Sequence, residues 1–155
     1  MGLKGTKIYS ILTFTCPRCH EGPLFVKKSA YSSGMTEMHK KCPNCGELYE
    51  REPGFYYGAA YVSYGLTVAL WVAVFVALTV FDAIGIMTYS FFDDALLFLG
   101  IGIGLLLLLF PIVYRLSRSI WINLFVKYRE DAAAYNEQQA RERAERRKAR
   151  SQKNA

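Results

Sequence analysis

Residues 95–114 read ALLFLGIGIGLLLLLFPIVY, twenty positions without a charged side chain. A helix of that length rises about 30 Å, which matches the hydrocarbon core of a bilayer. A second uncharged run lies upstream, from 53 to 81. A chain of 155 residues could not bury two such helices in a soluble core, so both are predicted to cross a membrane, over about 56–81 and 95–114. No cleavable signal peptide is expected ahead of them, because the apolar part of 8–14 is short and interrupted by Ser, Thr and Tyr.

The charges set a direction. All 19 Lys and Arg residues lie before the first run or after the second, while the connection 82–94 holds Asp82, Asp93 and Asp94 and no basic residue. The positive-inside rule therefore predicts a two-span protein with both termini in the cytoplasm. Tyr89, Phe91 and Phe92 suit the aromatic belt at the far interface, and Trp121 and Tyr128 the near one. Neither span carries Asp, Glu, Lys, Arg or His, which argues against a transporter or proton pump. Pro111 is expected to bend the second span near its cytoplasmic end.

Gly54, Gly58, Tyr61, Gly65 and Ala69 fall on one helical face, and Gly100 and Gly104 form a small-xxx-small face on the second span. Their first expected use is packing the two spans as a hairpin, with self-association or a membrane-protein partner as the others. Tyr57, Tyr61 and Tyr64 form an aromatic stripe that suits packing or an interface anchor.

Upstream stand two cysteine pairs, Cys16-Pro17-Arg18-Cys19 and Cys42-Pro43-Asn44-Cys45, which use all four cysteines of the chain. C-x-x-C spacing turns two thiolates toward one point, and two such loops supply the corners of a tetrahedral Zn²⁺ site. The 22 residues between Cys19 and Cys42 slightly exceed the usual spacing of about 15–20, leaving room for a small hairpin. Leu24, Phe25 and Val26 suit a strand, and 31–34 a turn. Arg18, Lys27, Lys28, Lys40 and Lys41 are placed to soften the negative charge of a zinc tetrathiolate.

Gly46 directly follows Cys45, whereas His20 follows Cys19 and the glycine comes later, at Gly22, so the first loop is the less regular. His20 and His39 are secondary as ligands beside four thiols. Structural zinc ranks first, thiol redox or disulfide use second and an iron centre third; cytoplasmic thiols stay reduced, which favours metal over disulfide.

After Arg115 and Arg118 the tail is rich in Ala, Glu, Gln and Arg, with Glu137–Arg141 and Glu142–Arg146 as helix-supporting pairs. Arg141, Arg143, Arg146, Arg147, Lys148, Arg150 and Lys153 leave it basic. It is expected to be a solvated helix extending from the second span or partly disordered, serving first as a topology determinant. Anionic lipid headgroups come next as its partner, and nucleic acid last.

The order C-P-R-C, C-P-N-C-G, then Glu52-Pro53-Gly54-Phe55-Tyr56-Tyr57-Gly58-Ala59-Ala60-Tyr61-Val62-Ser63-Tyr64 resembles the bacterial membrane family called domain of unknown function 983. The resemblance spans roughly residues 10 to 125. It implies an inner-membrane location and the same layout; His20 departs from it, since many relatives carry glycine there. The family has no established activity, and some relatives are encoded near assembly genes for haem-copper oxidases.

The expected fold is a small zinc-ribbon-like β head (1–52), a two-helix transmembrane hairpin (53–114) and a basic C-terminal helix (115–155). H-E-x-x-H, a nucleophile elbow and a phosphate-cradling glycine loop are all missing, and four thiols would leave a metal no open position. The expected function is accordingly a non-enzymatic docking or scaffold module for a membrane complex. The alternative is a metal-handling or redox assembly factor for a membrane enzyme such as a respiratory oxidase, with Cys16, Cys19, Cys42 and Cys45 as the working groups.

Overall fold

The computed structural model describes residues 5–153; positions 1–4 of the expected head and 154–155 of the expected tail lie outside the described residues. Four α-helices run in chain order: α1 (Lys7–Thr13), α2 (Ala59–Ala83), α3 (Ala95–Phe125) and α4 (Ala132–Lys153), with a 3₁₀ turn, Phe55–Gly58, leading into α2.

The two apolar runs form α2 and α3, both long and apolar enough to cross a membrane. Only 11 % of the most apolar stretch of each is buried within the molecule, whereas the core helix of a soluble protein would be mostly covered. They pack antiparallel. The Trp71 ring lies against Gly102 and meets Phe98 at a tilt, with centroids 5.2 Å apart, and Phe75 meets Phe91 at 5.7 Å. At the other end the Trp121 ring covers Gly58, and its Nε1 donates to the Phe55 carbonyl at 2.8 Å. Gly58 and Gly102 are thus the close approaches of the hairpin, whereas Gly65, Gly100 and Gly104 have open space beside them. Tyr57, Tyr61 and Tyr64 point outward, 84 %, 81 % and 72 % exposed.

α3 continues past the end of its apolar run to Phe125, so the tail expected from 115 begins as the last three turns of this helix. Those turns pass into the head. Ile122 and Val126, with Ala132 at the start of α4, share one core with Cys16, Leu24, Phe25, Cys42, Cys45 and Tyr49. α1 lies along the same end of α3: Asn123 Nδ2 donates to Ser10 Oγ at 3.2 Å and to the Ser119 carbonyl at 2.8 Å. The chain breaks at 126–131 before α4, so the tail is a separate helix rather than an extension of the span.

The expected β head is not found. Among the described residues there are no strands, only isolated antiparallel bridges at Thr15 with Pro23, Phe25 with Met38, and Lys41 with Leu48. The ladder at Phe25 has two rungs, Val26 N–H to the Glu37 carbonyl and His39 N–H to the Leu24 carbonyl. It stops on one side at Pro23, which has no N–H to give. On the other side the chain's carbonyls turn to a side chain instead: Arg115 donates to Lys28, Ser29 and Met35. The turn expected at 31–34 is present, with Met35 N–H bonded to the Ser32 carbonyl.

Trp121 and Tyr128, expected at the near interface, face inward, Trp121 onto Gly58 and Tyr128 onto His20 with ring centres 4.5 Å apart. Asp82 and Asp94 accept the backbone N–H groups of Tyr89 and Ser90 and so tie the far loop to the helix ends. In α4 the Arg141–Glu137 pair forms, while Glu142 accepts from Gln138 rather than pairing with Arg146.

Candidate metal centre

Each C-P-x-C segment closes as a loop on the same backbone bonds. His20 N–H donates to the Cys16 carbonyl and Gly46 N–H to the Cys42 carbonyl, at 2.8 and 3.0 Å. Both donors are left-handed, with φ of 60° at His20 and 73° at Gly46. The amide of the leading cysteine then bonds across the loop, Cys16 to the Gly22 carbonyl and Cys42 to the Glu47 carbonyl. The first loop therefore closes one residue later than the second. That extra residue brings Gly22 against the Cys42 sulfur, where a Cβ would collide with Sγ.

The loops bring all four sequence-predicted ligands to one point. Their Sγ atoms lie within 4.8 Å of one another. Cys16 and Cys45 are 3.7 Å apart, and so are Cys19 and Cys42, each close pair joining one loop to the other. A tetrahedron with metal–sulfur bonds of about 2.3 Å has edges of about 3.8 Å, so this donor set fits a four-thiolate ion of zinc type. A disulfide would need a separation of about 2.05 Å, and the cysteines are free thiols. Cys16, Cys42 and Cys45 are buried and Cys19 is half-buried.

The electrostatics come first from hydrogen bonds among the thiols themselves and from burial, with backbone amides adding to them. The amides of Cys19, Cys45 and Glu47 bond to the sulfurs of Cys16, Cys42 and Cys45, each favouring the thiolate. With protons rather than a metal between the sulfurs, hydrogen bonds from Cys16 and Cys45 draw Cys42 below the ordinary thiol value, and the bond to Cys42 pushes Cys16 above it. Burial, followed by the Cys16 charge, pushes the Tyr49 phenol up. It stays a neutral donor, bonded to the Pro23 carbonyl at 3.1 Å.

Of the cations expected around the thiolates, Lys27, Lys28, Lys40 and Lys41 are exposed. Arg18 is buried but committed elsewhere: Nε pairs with Glu47 at 3.0 Å, NH1 donates to the Lys127 carbonyl, and its guanidinium lies over the Tyr135 ring. It ties the two loops to the segment before α4. Asn136 completes the tie by donating to the Cys45 carbonyl at 3.0 Å.

His20 and His39 are not part of the thiol cluster. His20 is buried, packed against Tyr9 and Tyr128, and its Nδ1 accepts from the Gly5 amide. Sequence reasoning missed Gly22, Glu47, Asn136 and the role of Arg115. The delayed glycine of the first loop was the one available signal for Gly22; Glu47 has a local partner in Arg51, but its bond to Arg18 and the partners of Arg115 and Asn136 lie 29 to 91 positions away.

No curated protein and no solved structure matches the chain. A family model does, over residues 33–125, so that the second cysteine pair lies inside the match and the first pair and α4 outside it. This is shorter at its N-terminal end than the resemblance read from the motifs. It covers more than half of the sequence, both apolar helices and the E-P-G-F string, and on that ground the chain belongs to the family described as Protein of unknown function (DUF983).

Proposed function

We propose that this chain is a non-enzymatic protein of the bacterial inner membrane, crossing it twice with both termini in the cytoplasm, whose zinc-clamped head is a docking module for a membrane complex. The observation that carries the reading is the thiol cage itself. Four sulfurs close around one point, so a bound Zn²⁺ would be saturated by Cys16, Cys19, Cys42 and Cys45 and would act as a cross-link with no site for substrate or water. The head is built onto the end of α3, which supports a rigid platform at a fixed height above the bilayer. Gly65, Gly100 and Gly104, open along the helices, are the places for a second copy or a partner helix.

Affinity purification from detergent-solubilised membranes tests this directly. Stoichiometric partners should accompany the chain and be lost when the head is unfolded by a cysteine substitution. Repeated recovery of the chain alone counts against docking.

One observation favours a metal-handling role instead: Cys19 is less covered than the other three thiols, giving an incoming ligand a point of attack. Competition with a chelator separates the readings. A structural site retains its metal until the head unfolds, whereas a transfer site releases it quickly with the head intact.

A further inference from the structure

Arg118 lies one turn beyond Arg115 on α3 and is bound very differently. Arg115 donates to three backbone carbonyls, those of Lys28, Ser29 and Met35, besides lying over the Phe25 ring. The Arg118 guanidinium instead lies over the rings of Tyr114 and Tyr56, at 4.5 and 5.1 Å, and among the described residues its only hydrogen bond is a weak one from NH1 to the Met38 sulfur at 3.5 Å. No carboxylate pairs with it among the described residues. A guanidinium has five N–H donors, so most of them remain to be used.

These donors border a cleft of about 470 Å³ between the head, the turn before α2 and the side of α3. Its walls include Lys40 and His39 from the head, Tyr56 and Tyr57 from the turn, and Glu50, the one carboxylate. With Lys40 and Arg118 against Glu50 the cleft is net cationic.

The level of the cleft decides its occupant. Arg115 and Arg118 are the first charged residues after the uncharged run 95–114, so they mark where α3 leaves the hydrocarbon. Trp121 against Gly58 places the start of α2 at the same height, and the exposed Tyr57 on the cleft wall begins the outward Tyr57–Tyr61–Tyr64 stripe. Such a stripe suits the headgroup zone. A phosphate there meets cations at its own depth, while its acyl chains continue along the apolar flank of the helices.

We infer that this cleft binds the phosphate of an anionic phospholipid through Arg118 and Lys40, fixing the head against the inner leaflet. The inference rests on the membrane reading of α2 and α3, and it requires no docking partner.

The test uses the full chain purified in detergent, with phosphatidylglycerol titrated in and the bound fraction read by native mass spectrometry. Arg118→Gln and Lys40→Gln should each weaken binding about tenfold, as expected for one lost charge-assisted contact. The paired change Arg143→Gln and Arg147→Gln in α4 should leave it unaltered. Inorganic phosphate at the same concentration should not displace the lipid. Lys40 is an exposed head residue, so its variant decides the matter even where Arg118→Gln impairs folding. Wild-type binding in the Lys40 variant, loss only with the α4 pair, or displacement by inorganic phosphate overturns the inference. Carbonate extraction separates the two readings: release of the chain from membranes sinks the spanning assignment, whereas a retained chain with unaffected variants sinks the lipid site alone.

Discussion

The Arg115 guanidinium donates to the Ser29 carbonyl at 2.8 Å, across 86 positions of sequence. Two further bonds go to the carbonyls of Lys28 and Met35, and the group lies over the Phe25 ring at 4.7 Å. The side chain is fully buried. One arginine at the end of the apolar run thus holds the loop 28–35 to α3, while the Tyr31 hydroxyl bonds the Leu108 carbonyl in the turn ahead of Pro111.

Arg115→Gln should therefore destabilise the head by about 3–5 kcal/mol, because it leaves buried carbonyls without donors. Lysine should not rescue it, since a point ammonium cannot reach three carbonyls set as a fork. Limited proteolysis should show new cleavage within 28–35 in both variants. Wild-type resistance there would show that the clamp is dispensable.

Cys42→Ser should abolish metal binding and unfold the head, whose small core offers little to replace a stabilisation on the order of 10 kcal/mol. Because α4 is tied to the loops through Asn136 and Arg18, it should become protease-sensitive along with residues 14–49. Insertion should survive, since the two spans satisfy their own backbone bonds. Metal analysis with proteolysis checks this, and a protease-resistant variant holding one equivalent of zinc would contradict the four-thiol assignment.

The two loop glycines should separate cleanly. Gly22→Ala places a methyl group onto the Cys42 sulfur and should reduce metal retention sharply. Gly46→Ala meets nothing within 4 Å and carries only the left-handed backbone penalty, about 1 kcal/mol. Chelator competition on both variants reads the difference; equal behaviour would mean that the close approach at Gly22 does not constrain the site.

Gly102→Leu should disrupt the helix pair, because the Trp71 ring occupies the space over Gly102, at a typical overpacking penalty of about 1–3 kcal/mol. Gly104→Leu, with open space beside it, should leave the isolated chain's unfolding temperature unchanged. A shift for Gly104→Leu confined to preparations that retain a partner would place the partner on that face.

Sequence alone determined the parts that depend on composition and short spacing. Two uncharged runs define two long helices because length and apolarity suffice for that, and four cysteines in C-x-x-C pairs define a thiol cage because each loop is local and self-closing. The pattern of Leu24 to Val26 also suggested a strand, and there the tertiary structure decided otherwise. The backbone of 28–35 bonds to Arg115, a residue whose charge read as a topology signal and whose partners lie 80 to 87 positions away. The use of the glycines was equally invisible. Whether Gly102 or Gly104 faces Trp71 depends on the rotation of α3 about its axis, which is set by packing and not by the spacing of small residues. The junction of α3 with the head and the docking of α4 on the second loop arise from contacts between distant segments, and such contacts leave no mark in a single sequence.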